Sequence, residues 1–519
     1  MKLEKTIKED RRVKQLTYEY ILPDYEGTLK RVMLSDARLL PSDTSHVGDD
    51  LVLSGVVCFT MLYLTVDDTL SSLRFEVPYE CSFVTQKGVD VAIENVRLAS
   101  FSCLPSGPRR IVAKAEVVGA LRELSYEDLP VLTEEENLML LKENHAFHTH
   151  VYSKKEEREY AEDIFSCEGA EPAVLYSDSN IELLENRPMK DGVTVSGVYH
   201  VRCLLSFPGG GERSVCGDIP FDEFIPMGEI LPEKTSVLAD VTSSAFSMHV
   251  QKEGDTCHLI ANPTLCFFVT ATKEETATMV MDAFSCVQET NLQYESVRHY
   301  TELPLLRYKQ RLECRLSKDE GDPVAMSNIL FAKSEGVLVE CTPDDGVIYM
   351  LLKLSHSVIG TDFEPSEMSG ESEENDALIK QKTYVRQRME STHALNIPCA
   401  YSIKNASCQV SSFCVLSPEI YVEENAFLLV CEVSFVLQLA EEKMLSSVVS
   451  CEACGVEYEK ERDSYVITYP ACGATLWSLA KENHVNISEL VSLNPVLKSA
   501  EPMLNSSDSL KGIRYLLLP

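Results

Sequence analysis

Short segments in which apolar residues alternate with polar ones, or run uninterrupted over about four to eight positions, recur along most of this chain. Turn sequences such as Pro105 to Pro108 and Pro208 to Gly211 separate these segments. Segments of this length between Gly- and Pro-rich turns are typical of antiparallel β-structure. We therefore expect a mostly β protein.

The strand and turn pattern occurs three times. Gly55 and Pro78 are 23 positions apart, and Gly197 and Pro220 repeat that spacing. The third copy departs from the pattern: it contains Ile397-Pro398, but Met350-Leu351 replaces the Ser-Gly pair. Three tandem β-rich repeats follow from this comparison.

Further landmarks recur in each copy. A Phe stands five positions after a small apolar residue, in Val96 to Phe101, Val241 to Phe246 and Cys408 to Phe413. Each copy is predicted to open with a short strand, at Val32, Ala173 and Asn328. Each is predicted to close with an apolar strand, at Arg110 to Val118, His258 to Val269 and Phe427 to Leu437.

These landmarks divide the chain. We predict an N-terminal segment and first β domain over 1–130, a connector over 131–165, a second β domain over 166–290 and a third over 291–450. Thr133 to Glu136 is expected to cap a helix through Leu138 and Leu141, because carboxylates favour a first turn. His145, His148 and His150 are expected to lie in a solvated linker. The acidic stretch Ser366 to Asp376 predicts a mobile hairpin loop.

Residues 460–519 are the last predicted domain; Gly473 to Lys481 and Asn494-Pro495 within it resemble a LysM module, and this resemblance implies a small α+β (βααβ) domain. Thr475 is placed to cap a first helix, in which Leu476, Leu479 and Ala480 share the face that packs on a sheet. The other predicted elements are a strand at Tyr465 to Tyr469, a helix at Ile487 to Val491 that ends before Asn494-Pro495, and a strand at Ile513 to Leu518. Trp477, the one Trp in 519 residues, is expected in the core rather than as a sugar-stacking platform.

Charge and composition restrict the partners. The net charge of -34 argues against nucleic acid and anionic membranes, since both repel an acidic surface. No apolar run reaches the roughly 18 residues of a spanning helix, and the charged N-terminus lacks the apolar stretch of a signal peptide. We therefore expect a cytoplasmic protein, whose 18 scattered cysteines are mostly small buried residues.

Several segments resemble a known family. Leu22 to Tyr25 followed by Leu29 to Leu34, the Gly-to-Pro spacing and Asp282 to Ser285 are similar to the SPOCS repeat of spore-coat-associated proteins in endospore-forming Firmicutes. Gly473 to Lys481, with the downstream Asn494-Pro495, resembles a LysM module, a small sugar-binding fold. The order of three such repeats and a terminal LysM-like domain is more specific than any one segment.

The resemblance implies a non-enzymatic scaffold or adaptor of spore-coat assembly. Such proteins act from the mother-cell cytoplasm at the forespore surface, where they bind a coat-basement morphogenetic ATPase and other coat proteins. The LysM resemblance further implies a shallow groove that takes N-acetylated sugars or a protein. By position its residues are Gly473, Thr475, Leu476, Trp477, Asn494 and Pro495. Ala474 stands where the family commonly has Asp, which weakens the glycan interpretation.

Candidate chemistry is sparse. Cys451 and Cys454 have a metal-knuckle spacing, but Cys472 alone follows and Zn²⁺ requires four ligands, so structural thiols are favoured and no metal or cofactor is predicted. No phosphate loop, nucleophile elbow or zinc-protease motif occurs. Two alternatives to the scaffold stay open: a peptidoglycan-binding protein of the cortex or cell wall, and a hydrolase targeted by its LysM-like domain.

Overall fold

The protein is described from a computed structural model, which covers most of the chain. The described residues are 2–40, 43–47, 50–84, 90–128, 132, 138–209, 211–228, 231, 235–302, 304–317, 328–344, 346–364, 381–400, 406–416, 418–422, 426–458, 465–471, 473–499, 504–506, 510–511 and 513–519. Most of them lie in antiparallel strands, so the predicted mostly β class is confirmed. The expected acidic hairpin loop, Ser366 to Asp376, falls outside these residues.

The first sheet pair combines a meander and a flanking sheet. Its strands are β1 (Lys2–Ile21), β2 (Leu29–Leu39), β3 (Asp43–Val47), β4 (Asp50–Thr65), β5 (Leu70–Val84), β6 (Asp90–Gly107) and β7 (Arg110–Asp128). β4 pairs with β2 and β3 on one side and with β5 on the other, whereas β7 lies between β1 and β6. Apolar residues of both sheets, among them Phe59 and Ile111, form one core.

The second sheet pair has the same strand order. Its strands are β8 (Leu138–Glu159), β9 (Glu162–Glu168), β10 (Ala173–Pro188), β11 (Gly192–Phe207), β12 (Gly211–Pro226), β13 (Thr235–Glu253) and β14 (Thr256–Ser285). β10, β11 and β12 form the meander, and β14 pairs with β13 on one side and with β8 and β9 on the other. Tyr199 of β11 and Phe267 of β14 lie in the shared core.

The third sheet pair repeats the arrangement once more. Its strands are β15 (Gln288–Glu302), β16 (Leu306–Ser317), β17 (Asn328–Asp344), β18 (Val347–Glu364), β19 (Gln381–Pro398), β20 (Ala406–Val415), β21 (Glu419–Val422) and β22 (Ala426–Glu457). β17, β18 and β19 form the meander, and β22 pairs with β15 and β16 on one side and with β20 and β21 on the other. The predicted opening and closing strands of all three copies are therefore strands.

β-Bulges explain the five-position spacing that precedes each Phe. In a regular strand, residues five apart point to opposite faces. The register shifts once within each interval, between Leu98 and Ser100 in β6, between Ser243 and Ala245 in β13, and between Val410 and Ser412 in β20. One extra residue returns the Phe to the face of its apolar predecessor.

Two glycines make room for aromatic rings. Gly55 lies opposite Tyr79, and Gly197 lies opposite Phe221. A Cβ at Gly55 would stand 2.7 Å from the Tyr79 hydroxyl, and one at Gly197 would stand 2.4 Å from the Phe221 ring. The rings lie directly on the backbone of the facing strand, which requires residues without a side chain.

The third Ile-Pro pair occupies a different place from the one that its sequence alignment implies. Pro220 faces Val198 in the middle of β11. Pro398 instead faces Val347, the first residue of β18, as Pro226 faces Gly192 at the start of β11. Ile397-Pro398 therefore lies at the sheet position of Ile225-Pro226, and its sequence match to Ile219-Pro220 does not extend to the strand register.

The predicted helix through Leu138 and Leu141 is wrong. Residues 138–159 form β8, which pairs with β14 from Thr264 to Ser285. The expected linker histidines are part of this strand, where His145 lies opposite Ala277. Residues 138–159 of the predicted connector are thus a strand of the second sheet pair, held by main-chain hydrogen bonds to β14.

The three meanders meet at one junction. Buried residues of all three, including Met33 of β2, Tyr176 of β10 and Phe331 of β17, form a single cluster. Arg31 Nη2 donates to the carbonyl of Tyr384 at 2.8 Å, across 353 positions of sequence. The first and third sheet pairs are consequently in direct contact.

Two ribbons extend beyond the flanking sheets. Among the described strands, residues 274–285 of β14 pair with β8 alone, and residues 442–457 of β22 pair with β15 alone. Phe147, Met279 and Leu445 pack between the ribbons. Ser447 donates to the carbonyl of Val280 at 3.4 Å. The β8–β14 ribbon provides the surface on which the end of the chain lies.

The C-terminal module consists of the described part of residues 465–519. Its elements are β23 (Val466–Thr468), α1 (Leu476–Glu482), α2 (Ile487–Leu493), a 3-10 helix (Pro495–Ser499) and β24 (Leu516–Leu518). β23 and β24 pair antiparallel, and the order is the predicted β, α, α, β with strands shorter than expected. No helix in the described part of the chain is long and apolar enough to cross a membrane.

Candidate functional site

Thr475 begins α1 as predicted. Its Oγ1 accepts from the Ser478 N–H at 3.0 Å, and Ser478 Oγ accepts from the Thr475 N–H at 3.0 Å. This reciprocal capping box satisfies two of the amides that a helix start leaves unpaired. Gly473, at φ +85°, supplies the left-handed turn that leads into the cap.

Asn494 fastens α2 to the sheet. Its Nδ2 donates to the carbonyls of Leu490 at 2.9 Å and Leu517 at 2.7 Å, and its Oδ1 accepts from the Leu517 N–H at 2.8 Å. The side chain is buried, and these hydrogen bonds use its donors and its acceptor on backbone groups. Asn494 therefore has a structural role, while Pro495 after it is exposed.

Leu476 and Trp477 lie in the core. Leu476 is fully buried, and Trp477 is 4% exposed. The indole ring meets Phe284 of β14 edge-on, at 5.0 Å between centroids, and its Nε1 donates to Asp282 Oδ2 at 2.8 Å. The Trp477 side chain thus joins the C-terminal module to the β8–β14 ribbon by a ring contact and a hydrogen bond.

Asp282 also binds a second residue of α1. Lys481 Nζ lies 2.7 Å from both carboxylate oxygens. Leu141 and Cys286 of the ribbon region join the core of the module. Sequence reasoning placed Trp477 in a core but missed its partner, because Asp282 precedes it by 195 positions.

A main-chain hydrogen bond connects the first turn of α1 to a later segment of the module. The Trp477 N–H donates to the carbonyl of Leu504 at 3.0 Å, which joins the start of α1 to the segment after α2. Because the side chains of Leu476, Trp477 and Asn494 are buried, solvent reaches the predicted groove at Gly473, Thr475 and Pro495.

An exposed apolar face on the module was missed. Leu516 and Leu518 of β24 point inward, so the Ile467–Leu517 pair lies on the outer face of the two-stranded sheet. The exposed fractions on and beside that face are 65% for Tyr465, 54% for Ile467, 74% for Tyr469 and 60% for Tyr515. The alternation of Tyr465, Ile467 and Tyr469 was the available signal.

Charge separates the module from the rest of the chain. Residues 465–519 contain four cationic and four acidic side chains: Lys481, Lys498, Lys511 and Arg514 against Glu482, Glu489, Glu501 and Asp508. The module is thus neutral, and the net charge of -34 belongs to residues 1–464.

A second polar site lies where the three meanders meet. A cavity of about 480 Å³ is bordered by residues of all three sheet pairs. Lys333 Nζ is 2.9 Å from Asp36, and Arg38 is 3.1 Å from Asp36 and 3.0 Å from Asp178. Burial alone would raise the pKa of Asp36, but Lys333 and Arg38 outweigh it and lower that pKa. Lys333 Nζ also lies 2.5 Å from Glu335, so two cations face three carboxylates, and these ion pairs fasten the junction.

One Ser–His pair adjoins this cavity. Ser334 Oγ and His356 Nδ1 are 2.7 Å apart, and His356 Nε2 is 3.1 Å from Ser391 Oγ. Burial, and to a smaller extent the neighbouring charge of His393, lowers the pKa of His356 to about 4. A hydroxyl stands where a catalytic triad has a carboxylate, so nothing holds a protonated imidazole here.

Metal ligands are not assembled in the described part of the chain. Within it, no group of three or more His, Cys, Asp or Glu side chains is placed to hold an ion. Cys451 and Cys454 lie on β22, and Cys472 falls outside the described residues.

The sequence matches no family model, no curated protein and no solved structure.

Proposed function

We propose that the chain is a non-enzymatic scaffold or adaptor of spore-envelope assembly, composed of three SPOCS-like units and a LysM-like domain. It acts from the mother-cell cytoplasm at the forespore surface and binds a coat-basement morphogenetic ATPase and other coat proteins. The observation that carries the proposal is the threefold recurrence of one strand order and one bulge position, followed by a βααβ module.

The bulges support the equivalence of the units more strongly than the strand order does. Register shifts also recur near the start of each opening strand, between Val32 and Leu34, Val174 and Tyr176, and Ile329 and Phe331. A bulge inserts one residue and is retained as a functional part of a fold. Its recurrence at matching offsets favours three copies of one ancestral unit.

The module offers the partner surface. A buried Trp477 leaves the outer face of β23 and β24 as the large apolar area of the module, and contiguous exposed apolar surface marks interaction sites. Tyr side chains are enriched in protein interfaces because they combine apolar area with a hydroxyl. Since the module is neutral, an acidic partner can approach it without the repulsion of residues 1–464.

Fluorescence microscopy of a tagged full-length chain in sporulating cells tests the location. A ring or cap at the forespore is expected. Uniform cytoplasmic signal, or signal on the vegetative wall, would discard the proposal.

A pull-down tests the surface. The Tyr469→Ser, Tyr515→Ser double variant should lose the coat ATPase, whereas Tyr25→Ser, at an 86% exposed Tyr of the first sheet pair, should retain it. Equal retention by both variants would remove the outer face from the proposal.

Peptidoglycan binding is the second candidate, because Gly473, Thr475 and Pro495 keep one side of the groove open to solvent. Sedimentation of the full-length chain with purified peptidoglycan separates the two candidates. If the wild-type chain pelleted with peptidoglycan and the Thr475→Tyr variant did not, glycan binding would be favoured.

A further inference from the structure

Two thiols of the third sheet pair face each other across its two sheets. Cys341 lies on β17 of the meander, and Cys408 lies on β20 of the flanking sheet. Their Sγ atoms are 3.2 Å apart. Both residues are half-buried at the margin of the shared core, so a small molecule can reach them.

Main-chain pairing holds both cysteines in place. Cys341 pairs with Met350 of β18, and Cys408 pairs with Leu439 of β22. A disulfide requires about 2.05 Å between sulfurs, so closure needs an approach of about 1 Å.

We propose that Cys341 and Cys408 are a redox site that closes to an intrachain disulfide when it meets a small-molecule disulfide. The Cys341 thiolate attacks one sulfur of the oxidant, forms a mixed disulfide and displaces a thiolate. Cys408 then loses its proton, attacks Cys341 Sγ and displaces the second half of the oxidant as a thiolate. Two cysteine thiols are oxidised and one disulfide is reduced to two thiols.

The contact between the thiols lowers the pKa of Cys341, whereas that contact together with burial raises the pKa of Cys408. These directions favour Cys341 as the first nucleophile, and the cross-linked product is the same for either order of attack. The thiolate is the nucleophile of thiol–disulfide exchange.

Closure joins the two sheets of the third pair covalently. The bond spans 67 positions of sequence, and it removes the corresponding conformational freedom of the unfolded chain. For a loop of that length the folding equilibrium constant should increase by roughly a thousandfold. Oxidation would thus convert a packed contact into a covalent bond after the chain has folded.

The chain offers an internal comparison. Cys167 and Cys257 lie directly opposite each other on β9 and β14, yet the Cys257 thiol contacts the carbonyl of Gly169 at 3.7 Å. If closure depends on thiol contact, this second pair stays reduced under conditions that oxidise the first.

The full-length chain is equilibrated in glutathione buffers of increasing oxidised fraction, acid-quenched, alkylated and mapped by mass spectrometry without reduction. We expect a cross-linked peptide pair joining Cys341 and Cys408 before any joining Cys167 and Cys257. Cys399→Ser, which removes a buried neighbouring thiol, and Cys216→Ser, at an exposed thiol, should leave that cross-link unchanged. In Cys408→Ser, glutathione should remain attached to Cys341.

Other patterns overturn the proposal. Separate glutathione adducts on Cys341 and Cys408 in the wild type would show that the pair does not close. Simultaneous oxidation of both pairs would show general reactivity instead of a site. Urea unfolding of oxidised and reduced chains, with Cys341→Ser as the control, should show the stabilisation in the wild type alone.

Discussion

Replacing Asp282 by Ala should loosen the C-terminal module from the β8–β14 ribbon. The variant leaves the buried Trp477 Nε1–H without its 2.8 Å acceptor, which costs about 1 to 3 kcal/mol. The lost Lys481 pair adds about 0.5 kcal/mol, since the Lys481 side chain is 40% exposed and its charge is screened. The total expected destabilisation is roughly 1.5 to 3.5 kcal/mol.

The fluorescence of Trp477 measures this change selectively, because the chain contains no other Trp. With a urea slope of about 1 to 2 kcal/mol per M, the midpoint followed at Trp477 should fall by roughly 1 to 3 M. Emission of the folded variant should shift to longer wavelength as water reaches the indole. Far-UV circular dichroism, which reports the strands, should show a smaller shift.

Glu143→Ala is the matched control. Glu143 Oε1 accepts from Asn505 Nδ2 at 3.3 Å in an exposed contact between ribbon and module, so its loss should move the midpoint by less than about 0.5 M. If Asp282→Ala and Glu143→Ala gave the same midpoint and emission, the docking argument would be refuted.

Three further predictions concern the sheets. His200 of β11 lies 3.4 Å from Glu182 and 2.7 Å from Asp218; burial lowers its pKa, but these carboxylates outweigh burial and raise it. The stability difference between wild type and His200→Gln should therefore be larger at about pH 5.5 than at about pH 9, and equal differences in urea titrations would contradict this. Lys333→Met should cost roughly 3 kcal/mol in urea unfolding by leaving Asp36 undercompensated, and an unchanged midpoint would count against it. Gly197→Ala should lower the Tm by several degrees, since its Cβ would stand 2.3 Å from a backbone oxygen, whereas Gly211→Ala, with nothing within 4 Å, should not; equal Tm values would be inconsistent with the crowding.

The bulges mark one limit of prediction from sequence. The spacing from Val241 to Phe246 is visible in the sequence, but its odd length has no meaning until the partner strand is known. The register shift becomes apparent only because β14 counts one residue fewer than β13 in that interval. Spacing could therefore indicate a repeat without indicating its geometry.

The Leu138 to Leu141 segment marks another limit of prediction from sequence. Its apolar residues fit a helix face and a buried strand equally, and the preceding carboxylates favoured the helix. The partner that decides the matter, Met139 opposite Phe284, lies far along the chain. Thr475 is the opposite case: its capping partner is three positions away, so local sequence sufficed.

The same distinction applies to the candidate site. Local pattern placed α1, α2 and the buried face of Leu476 correctly, because these depend on neighbours within a few turns. The contact of Trp477 with Asp282 depends on how the module is seated on the ribbon, and no periodicity within residues 465–519 contains that information. The exposed face around Tyr469 did leave a local signal, the alternation of Tyr465, Ile467 and Tyr469, but the alternation alone does not say which face stays uncovered.

The junction of the three meanders restricts the order in which the fold can be completed while the chain is synthesised. Arg31 finds its carbonyl partner at Tyr384, so the first sheet pair can fold on the ribosome but cannot close the junction until the third has emerged. At about 5 to 20 residues per second, this interval is on the order of tens of seconds. Throughout it, the second meander can supply Tyr176 and Leu204 to the apolar face around Met33 and Leu34, but the part that Leu330, Phe331 and Tyr384 cover stays open to water and to other nascent chains. The third meander therefore completes the cover over this apolar face, and a chain whose synthesis stops before β19 keeps part of the face exposed, where other chains can bind.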